Sequence, residues 1–334
     1  MATTIKDIAK QANVSIATVS RVINQLGGYS QEVEENVLKI AKELNYHKNE
    51  NAISLVKNVS NIIGIIMPTV DSFYYSNIVN GIEDAAKKHG YSVILMHAGV
   101  EGENFKSCLN LMAERRVDGI VAFSIFVEQE GVALVKSLNI PIMLLSTEAV
   151  EDSIPYIKVD DYSAAFEATD YLVRNGHQRI GLAGVSPIDP IAGIPRINGY
   201  RDALKQNGIP IEEKMIYFGD YNFTSGKKAM EYYIQNDISL TAIFCVSDET
   251  ALGVISECNK QNIIVPEDLS VIGYDNSKIS SMVTPTITTI SQPFYEMGNL
   301  GCESLILSIL KKKEILSEIV PFTLVERNSV KKLL

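Results

Sequence analysis

Seven short runs of aliphatic and β-branched residues constrain this chain more than any other feature. They are Ile62-Ile63-Gly64-Ile65-Ile66, Ser92-Val93-Ile94-Leu95-Met96, Gly119-Ile120-Val121-Ala122-Phe123, Ile142-Met143-Leu144-Leu145, Arg179-Ile180-Gly181-Leu182-Ala183, Ala242-Ile243-Phe244-Cys245-Val246 and Leu269-Ser270-Val271-Ile272-Gly273. Each is too continuously apolar for a strand with one wet face, so each predicts an interior strand of a parallel sheet covered on both sides. Amphipathic helices separate them and close in a recurrent way. Lys87-Lys88-His89-Gly90-Tyr91, Arg174-Asn175-Gly176-His177 and Lys205-Gln206-Asn207-Gly208-Ile209 put cations in the last turn and glycine at the left-handed cap. Strand-then-helix units in series predict a doubly wound α/β fold, and this many strands predict two sheets.

Composition narrows the function. A chain of 334 residues, 46% hydrophobic and 21% charged, suits a small domain plus a large core. The net charge of −10 argues against a generally basic nucleic-acid coat, so any DNA contact must be local. The N-terminus lacks a basic segment followed by an apolar run, and no apolar stretch approaches the roughly 18 residues of a membrane span. A cytoplasmic protein without membrane association is expected. Cys108, Cys245, Cys258 and Cys302 are scattered, which predicts buried free thiols and neither zinc nor disulfides. His47, His89, His97 and His177 lie in unrelated contexts, no Gly-x-Gly-x-x-Gly follows a strand, and there is no Walker motif. The expectation is a non-enzyme with no cofactor and no metal.

Residues 4–24 read as two short helices joined by a tight turn, a geometry suited to the DNA major groove. Thr4 is a natural N-cap with Asp7 three positions on, and Ile5, Ile8, Ala9 and Ala12 form an apolar stripe. Asn13 tolerates a left-handed helix end, and Ser15 caps the next helix. Ala17 is small enough for close helix approach, while Val14, Val19 and Val22 face inward. Ser15, Ile16, Thr18, Ser20 and Arg21 are left outward: short polar groups, an apolar tip and one long cation, suited to phosphates, thymine methyls and a guanine edge. Spacing alone favours an ordinary surface helical hairpin.

The string Val14-Ser15-x-Ala17-Thr18-Val19-Ser20-Arg21-Val22-x-Asn24 changes that weighting, because it resembles the headpiece of the lactose/galactose-repressor (LacI/GalR) family; a looser resemblance continues to about Arg327. The resemblance implies DNA contacts from Thr4, Ser15, Ile16, Ala17, Thr18, Ser20, Arg21, Asn24 and Ser30. It implies a third helix from Ser30 to about Asn45 with Val33, Val37, Ile40, Ala41 and Leu44 buried. A minor-groove hinge helix follows in the family, and Tyr46, Asn49, Ala52 and Leu55 match its pattern, with Leu55 as the wedge between base pairs. Lys48 stands where the family has proline, Ile53 where it has arginine, and Ser30-Gln31-Glu32-Val33-Glu34 where it has Ser-x-x-Thr-Arg. Residues 1–60 carry seven Lys or Arg against six Asp or Glu. Phosphate neutralisation supplies most non-specific affinity, so weak binding away from the operator is expected.

For the remainder, the resemblance implies a periplasmic-binding-protein-like core of two subdomains crossed by three connections. The implied organisation is a helix-turn-helix headpiece over 1–46, a hinge and linker over 47–60, and a core over 61–330. The first subdomain spans about 61–160 and 291–320 and the second about 161–290 and 321–330. Crossings fall near Asp160-Asp161, Ile290-Ser291 and Val320-Pro321. Ligands in open α/β folds sit beyond the carboxyl ends of strands; Tyr74 and Tyr75 there could stack on a sugar ring, and the resemblance implies effector contacts from Arg196, Tyr221, Ser247 and Asp275, which match the family's positions. Arg196 and Asp275 are expected on opposite walls of the cleft. Taken alone, Asp275 reads equally as a helix N-cap, Asp248 reads better as a cap than as a ligand contact, and one of Tyr74 and Tyr75 reads as a dimer-interface residue. The stretch 187–195 offers no cation, which argues against a nucleobase. A sugar or sugar phosphate fits, although a phosphate would want one more cation. The expected protein is a transcriptional repressor that binds a pseudo-palindromic operator as a homodimer, because Val330-Lys331-Lys332-Leu333-Leu334 leaves no room for a tetramerising heptad repeat. The alternative is a solute-binding protein of the periplasmic sugar-binding type.

Overall fold

The computed structural model describes residues 3–46, 59–69, 73–150 and 153–333. Asn49, Ala52 and Leu55, with Lys48 and Ile53, lie outside them. The chain divides into two compact units, Met1–Ser60 and Asn61–Leu334.

The first unit is all-α, with α1 (Ile5–Ala12), α2 (Ile16–Ile23) and α3 (Gln31–Glu43). Local chemistry sets each boundary. The Asp7 carboxylate reaches back to the Thr4 N–H at 2.8 Å and its hydroxyl at 2.7 Å. Asn13 ends α1 with φ of 53°, and the Ser15 and Ser30 hydroxyls accept the Thr18 and Val33 N–H groups at 3.0 and 3.3 Å. Ile8, Val19, Val22, Val37 and Ile40 close over one small core, with Val33, Leu44 and Tyr46 packed half-buried against it. Ala17 does not mediate the helix contact assigned to it. It is exposed beside Ile16, because α2 presents Val19 and Val22 inward and position 17 falls on the opposite face.

The second unit holds two six-stranded sheets. The first contains β1 (Ile62–Met67), β2 (Ser92–His97), β3 (Gly119–Phe123), β4 (Ile142–Leu145), β5 (Tyr156–Lys158) and β11 (Glu318–Ile319), in the order β11-β5-β4-β3-β1-β2, all parallel. The helices α4 (Tyr75–Lys88) and α11 (Phe294–Lys311) cover one face, and α5 (Phe105–Glu114) and α6 (Gln129–Leu138) the other. The second sheet contains β6 (Ile180–Val185), β7 (Ile216–Phe218), β8 (Ala242–Cys245), β9 (Ser270–Asp275), β10 (Thr288–Ser291) and β12 (Thr323–Val325), in the order β12-β10-β9-β8-β6-β7. Here α7 (Asp161–Arg174) and α8 (Gly193–Gln206) cover one face, and α9 (Phe223–Gln235) and α10 (Asp248–Lys260) the other.

Two-sided cover explains the apolar runs: every residue of β3, β4, β6, β8 and β9 is buried. Each large aliphatic side chain so placed contributes about 1.5–3 kcal/mol. Two expectations fail at the sheet margins. Strand β2 is a half-exposed edge rather than an interior strand, and β12 runs antiparallel to β10. The predicted helix endings appear as matching hydrogen bonds, Tyr91 N–H to Ala86, His177 N–H to Leu172 and Ile209 N–H to Leu204, at 2.9, 3.1 and 2.9 Å. Helices α4 and α11 cross at glycine: a Cβ on Gly81 would sit 2.1 Å from the Tyr295 carbonyl oxygen, and one on Gly298 2.2 Å from that of Ile78.

The chain passes between the sheets three times, from β5 into α7, from β10 into α11 and from β11 into β12. Two of these crossings are tied together by the Val320 N–H, which donates to the Lys158 carbonyl at 2.9 Å. Phe322, in the last crossing, packs against the cores of both subdomains. Among the described residues no helix is long and apolar enough to cross a membrane. All four cysteines are buried free thiols.

Candidate functional site

The parallel strands of each sheet deliver the chain to one end of its subdomain, and the candidate groups gather there. In the second subdomain Arg196 lies in the first turn of α8, Tyr221 follows β7, Ser247 follows β8, and Asp275 ends β9. Arg196 is buried and makes three hydrogen bonds. Its Nε and Nη2 donate to Asp161 Oδ1 at 3.0 and 2.8 Å, and Nη1 donates to the Val246 carbonyl at 2.6 Å. The Tyr274 ring centroid lies 3.8 Å from the guanidinium carbon, and the Tyr274 hydroxyl also donates to Asp161 Oδ1, at 3.1 Å. Burial opposes the cation, but Tyr274, Asp161, Asp275 and Tyr221 outweigh it and hold the guanidinium pKa above its usual value.

Asp275 does not cap a helix. Its carboxylate accepts Gln292 Nε2 at 2.8 Å, and its φ of 108° is costly for a residue with a side chain. Backbone strain of this kind concentrates at functional positions. Burial pushes the Asp275 carboxyl pKa well above the usual carboxylate range, against the opposing pull of Arg196. Arg196 and Asp275 therefore share one wall, not opposite walls, because α8 and β9 belong to the same sheet unit.

Groups of the first subdomain face them. Tyr74 stacks on Phe294 with ring centroids 4.5 Å apart, and its hydroxyl shares a 3.1 Å hydrogen bond with Ser124. Tyr75 is buried in the first core against Phe123 rather than at a subunit surface. Burial raises both tyrosine pKa values, that of Tyr75 to about 12, and the Asp275 charge adds to each. The Phe73 N–H donates to the Glu249 carboxylate of the second subdomain at 3.4 Å.

The remaining candidates are committed to the scaffold. The Ser247 hydroxyl donates to the Tyr221 carbonyl at 2.5 Å and accepts the Thr250 N–H at 2.9 Å, making Ser247 the N-cap of α10. Asp248 is thus displaced from the capping role expected of it. Its carboxylate accepts the Ser277 N–H, the Ser277 hydroxyl and the Thr289 hydroxyl at 2.7, 2.9 and 2.6 Å, which pins the β9–β10 connection. The Tyr221 hydroxyl donates to Asp189 Oδ2 at 2.5 Å.

Asp161, Tyr274, Asp189, Lys158 and Gln292 are site groups that sequence reasoning missed. For Asp161 a signal existed: Asp160 alone caps α7, accepting the Tyr162 and Ser163 N–H groups, so a second adjacent acid had no local task. Lys158 Nζ lies 3.6 Å from Glu148 and 3.9 Å from Asp161, and donates to the Ile191 carbonyl at 3.5 Å.

Asp248 makes the pH behaviour of this wall testable. Burial raises its pKa to about 6, partly offset by its three hydrogen-bond donors. The folded state then holds the proton more tightly than the unfolded chain, so this group's contribution to stability is complete below about pH 4 and is lost as pH rises to about 6. Asp248→Asn removes the titration. In urea unfolding, its stability relative to the unsubstituted protein is expected to improve by about 2–3 kcal/mol between about pH 4 and 7. A difference that stays flat with pH would contradict the raised pKa.

On the headpiece, Ser15, Ile16, Ala17 and Arg21 are exposed along α2, with Thr18 and Ser20 half-exposed beside them. Thr4 is exposed and engaged with Asp7. Asn24 turns back onto its own helix, Nδ2 donating to the Ser20 carbonyl at 2.8 Å.

A helix-turn-helix unit followed by two doubly wound subdomains with converging polar groups is the construction of a ligand-responsive transcriptional regulator. Comparison with known proteins agrees. Residues 4–49 match the bacterial regulatory proteins of the lacI family, and residues 60–322 match the periplasmic binding proteins and sugar binding domain of the LacI family. The chain is 36% identical to the HTH-type transcriptional regulator RegA of Clostridium acetobutylicum, over 99% of this chain and 100% of that protein. It is 34% identical to catabolite control protein A of Priestia megaterium, over 96% of each. Among solved structures, the lac repressor dimer bound to operator and the anti-inducer ONPF superimposes with a TM-score of 0.88 at 28% identity, covering 99% of this chain and 100% of that one. The chain belongs to the LacI family. It is a transcriptional regulator with a DNA-binding helix-turn-helix headpiece and an effector domain of the sugar-binding type, and its relatives are regulators rather than enzymes.

Proposed function

We propose that this protein is a cytoplasmic, non-catalytic repressor that binds a pseudo-palindromic operator as a homodimer and whose operator affinity is set by an uncharged carbohydrate held between the core subdomains. In this reading α2 reads the major groove through Ser15, Ile16, Ala17, Thr18, Ser20 and Arg21, with Thr4, Asn24 and Ser30 at the backbone. Tyr46, Asn49, Ala52 and Leu55 serve the hinge, as the family pattern implies. Arg196, Asp275, Tyr221 and Ser247 form one wall of the effector site, and Tyr74 and Tyr75 belong to the other.

The observation that carries the effector class is the charge state of that wall. Arg196 is paired with Asp161, and Lys158 lies between Glu148 and Asp161. Asp189, which accepts the Tyr221 hydroxyl, and Asp275, on which the Arg196 charge also acts, add two further carboxyl groups. A phosphate would meet a wall whose two cations, Arg196 and Lys158, are already paired with carboxylates, whereas sugar hydroxyls can hydrogen-bond to Asp275 and a sugar ring can stack on tyrosine. This favours a neutral sugar over a sugar phosphate.

The test has two arms. Selection from a randomised DNA pool is expected to yield a two-fold symmetric site. Calorimetry against neutral sugars and their phosphate esters is expected to find a neutral ligand that alters affinity for that site. Binding of a phosphate ester in preference to its parent sugar would overturn the charge argument.

A further inference from the structure

The turn between α2 and α3 holds Arg21. Gln25, Gly27 and Gly28 adopt φ of 51°, 70° and 78°, three left-handed residues within four, and they fold the chain back over the end of α2. The Leu26 N–H donates to the Arg21 carbonyl at 2.9 Å. The Gly27 carbonyl in turn accepts the Arg21 Nε–H at 3.0 Å. The guanidinium lies against Gly28: a Cβ there would sit 2.3 Å from Nη2 and 2.8 Å from Cζ. Arg21 is nonetheless exposed.

An unrestrained arginine has many rotamers, and ordering it on binding carries an entropic cost. Here the Nε–H is occupied by backbone, while Nη1 and Nη2 keep N–H groups beyond that contact. Those two nitrogens form the fork that pairs with O6 and N7 of guanine. We propose that the Gly27–Gly28 turn is a positioning element that presets Arg21 for guanine readout, with Gly28 required because a side chain would displace the guanidinium. The proposal rests on the reading of α2 as the groove-reading helix.

The two glycines supply their own control. Both have left-handed φ, so Gly27→Ala and Gly28→Ala impose similar backbone strain. A Cβ at 27, however, meets nothing within 4 Å, while one at 28 meets Arg21. The probe is a duplex selected by the full-length protein from a randomised pool, compared with the same duplex carrying 7-deazaguanine, which lacks the N7 acceptor, at each guanine in turn. The unsubstituted protein and Gly27→Ala are expected to discriminate at one guanine per half-site by roughly tenfold or more. Gly28→Ala is expected to lose that discrimination, and to change it no further when Arg21 is already alanine. Equal losses from the two glycine substitutions, or a Gly28→Ala loss that persists in the Arg21→Ala background, would overturn the proposal. If Gly28→Ala does not fold, nitrogen-resolved NMR of the unsubstituted protein without DNA decides instead. A protected Arg21 Nε–H is expected, and exchange as fast as in free arginine would refute the preset. A pool from which the unsubstituted protein selects nothing would instead sink the groove reading itself, leaving the Nε–H result to report on the turn alone.

Discussion

Asp161→Ala is expected to destabilise the core by about 3–5 kcal/mol, the scale of leaving a buried ion unpaired. The substitution strips Arg196 of the carboxylate that receives two of its three hydrogen bonds and removes the acceptor of the Tyr274 hydroxyl. Asp161→Asn keeps an oxygen acceptor and should cost distinctly less, which separates the loss of charge from the loss of the hydrogen bonds. The chain contains no tryptophan, so urea unfolding followed by circular dichroism is the suitable measurement. A loss below about 1 kcal/mol for the alanine variant would show that another group or water takes the carboxylate's place, and that Arg196 is less dependent on it than the geometry implies. Because Arg196 stays charged and close to the proposed effector site, Asp161→Ala should also release its fork, and affinity for anionic ligands should rise as stability falls.

Asp275→Asn is expected to lower effector affinity by one to two orders of magnitude, roughly the 1–3 kcal/mol of a buried ligand hydroxyl left facing an amide N–H instead of an acceptor. Operator binding without effector should be unchanged. A second consequence distinguishes a binding group from a structural one. Burial already penalises the charged form of Asp275 in the folded core, so the neutral amide should leave the ligand-free core as stable as before near neutral pH, or more stable. A residue kept in a strained backbone conformation at a net cost to stability, and needed when ligand arrives, has the character of a functional position. A ligand shifts the balance between two forms only by its differential affinity for them, so the variant should weaken effector-driven change in operator binding along with effector binding. Unaltered effector affinity, or loss of the fold, would mark Asp275 as structural and move the site elsewhere.

Much of the architecture is legible along the chain because it is set by neighbours in sequence. Thr4 with Asp7, Ser15 and Ser30 announce helix starts, and the bonds they promise lie three residues away. The apolar runs of β1, β3, β4, β6, β8 and β9 announce two-sided burial, and the helix endings at Gly90, Gly176 and Gly208 announce where the chain turns. The short strands β5, β7, β11 and β12 carry too few residues to show a period, and β2 reads as interior because apolar content does not distinguish a central strand from an edge. Ala17 shows a related limit: smallness fits both a close helix contact and an unobstructed outer face, and only the rotation of α2 about its buried valines chooses between them.

The local pattern of caps, periods and motifs thus determined a helix-turn-helix headpiece and a doubly wound core, and only the match to a family pattern picked out Arg196 and Asp275 among the polar residues. Tertiary structure alone decided how those groups are used. Arg196 meets Asp161 across 35 residues of sequence, and it meets the Val246 carbonyl across 50. Ser247 and Asp248 divide capping and pinning in a way neither residue type reveals, and Arg21 is held by a carbonyl that the turn of two glycines places beneath it. The physical reason is range. Helix and strand formation depend on contacts within a few residues, whereas a partner for a buried charge is fixed by sheet order and crossing points, which emerge only when the whole core packs.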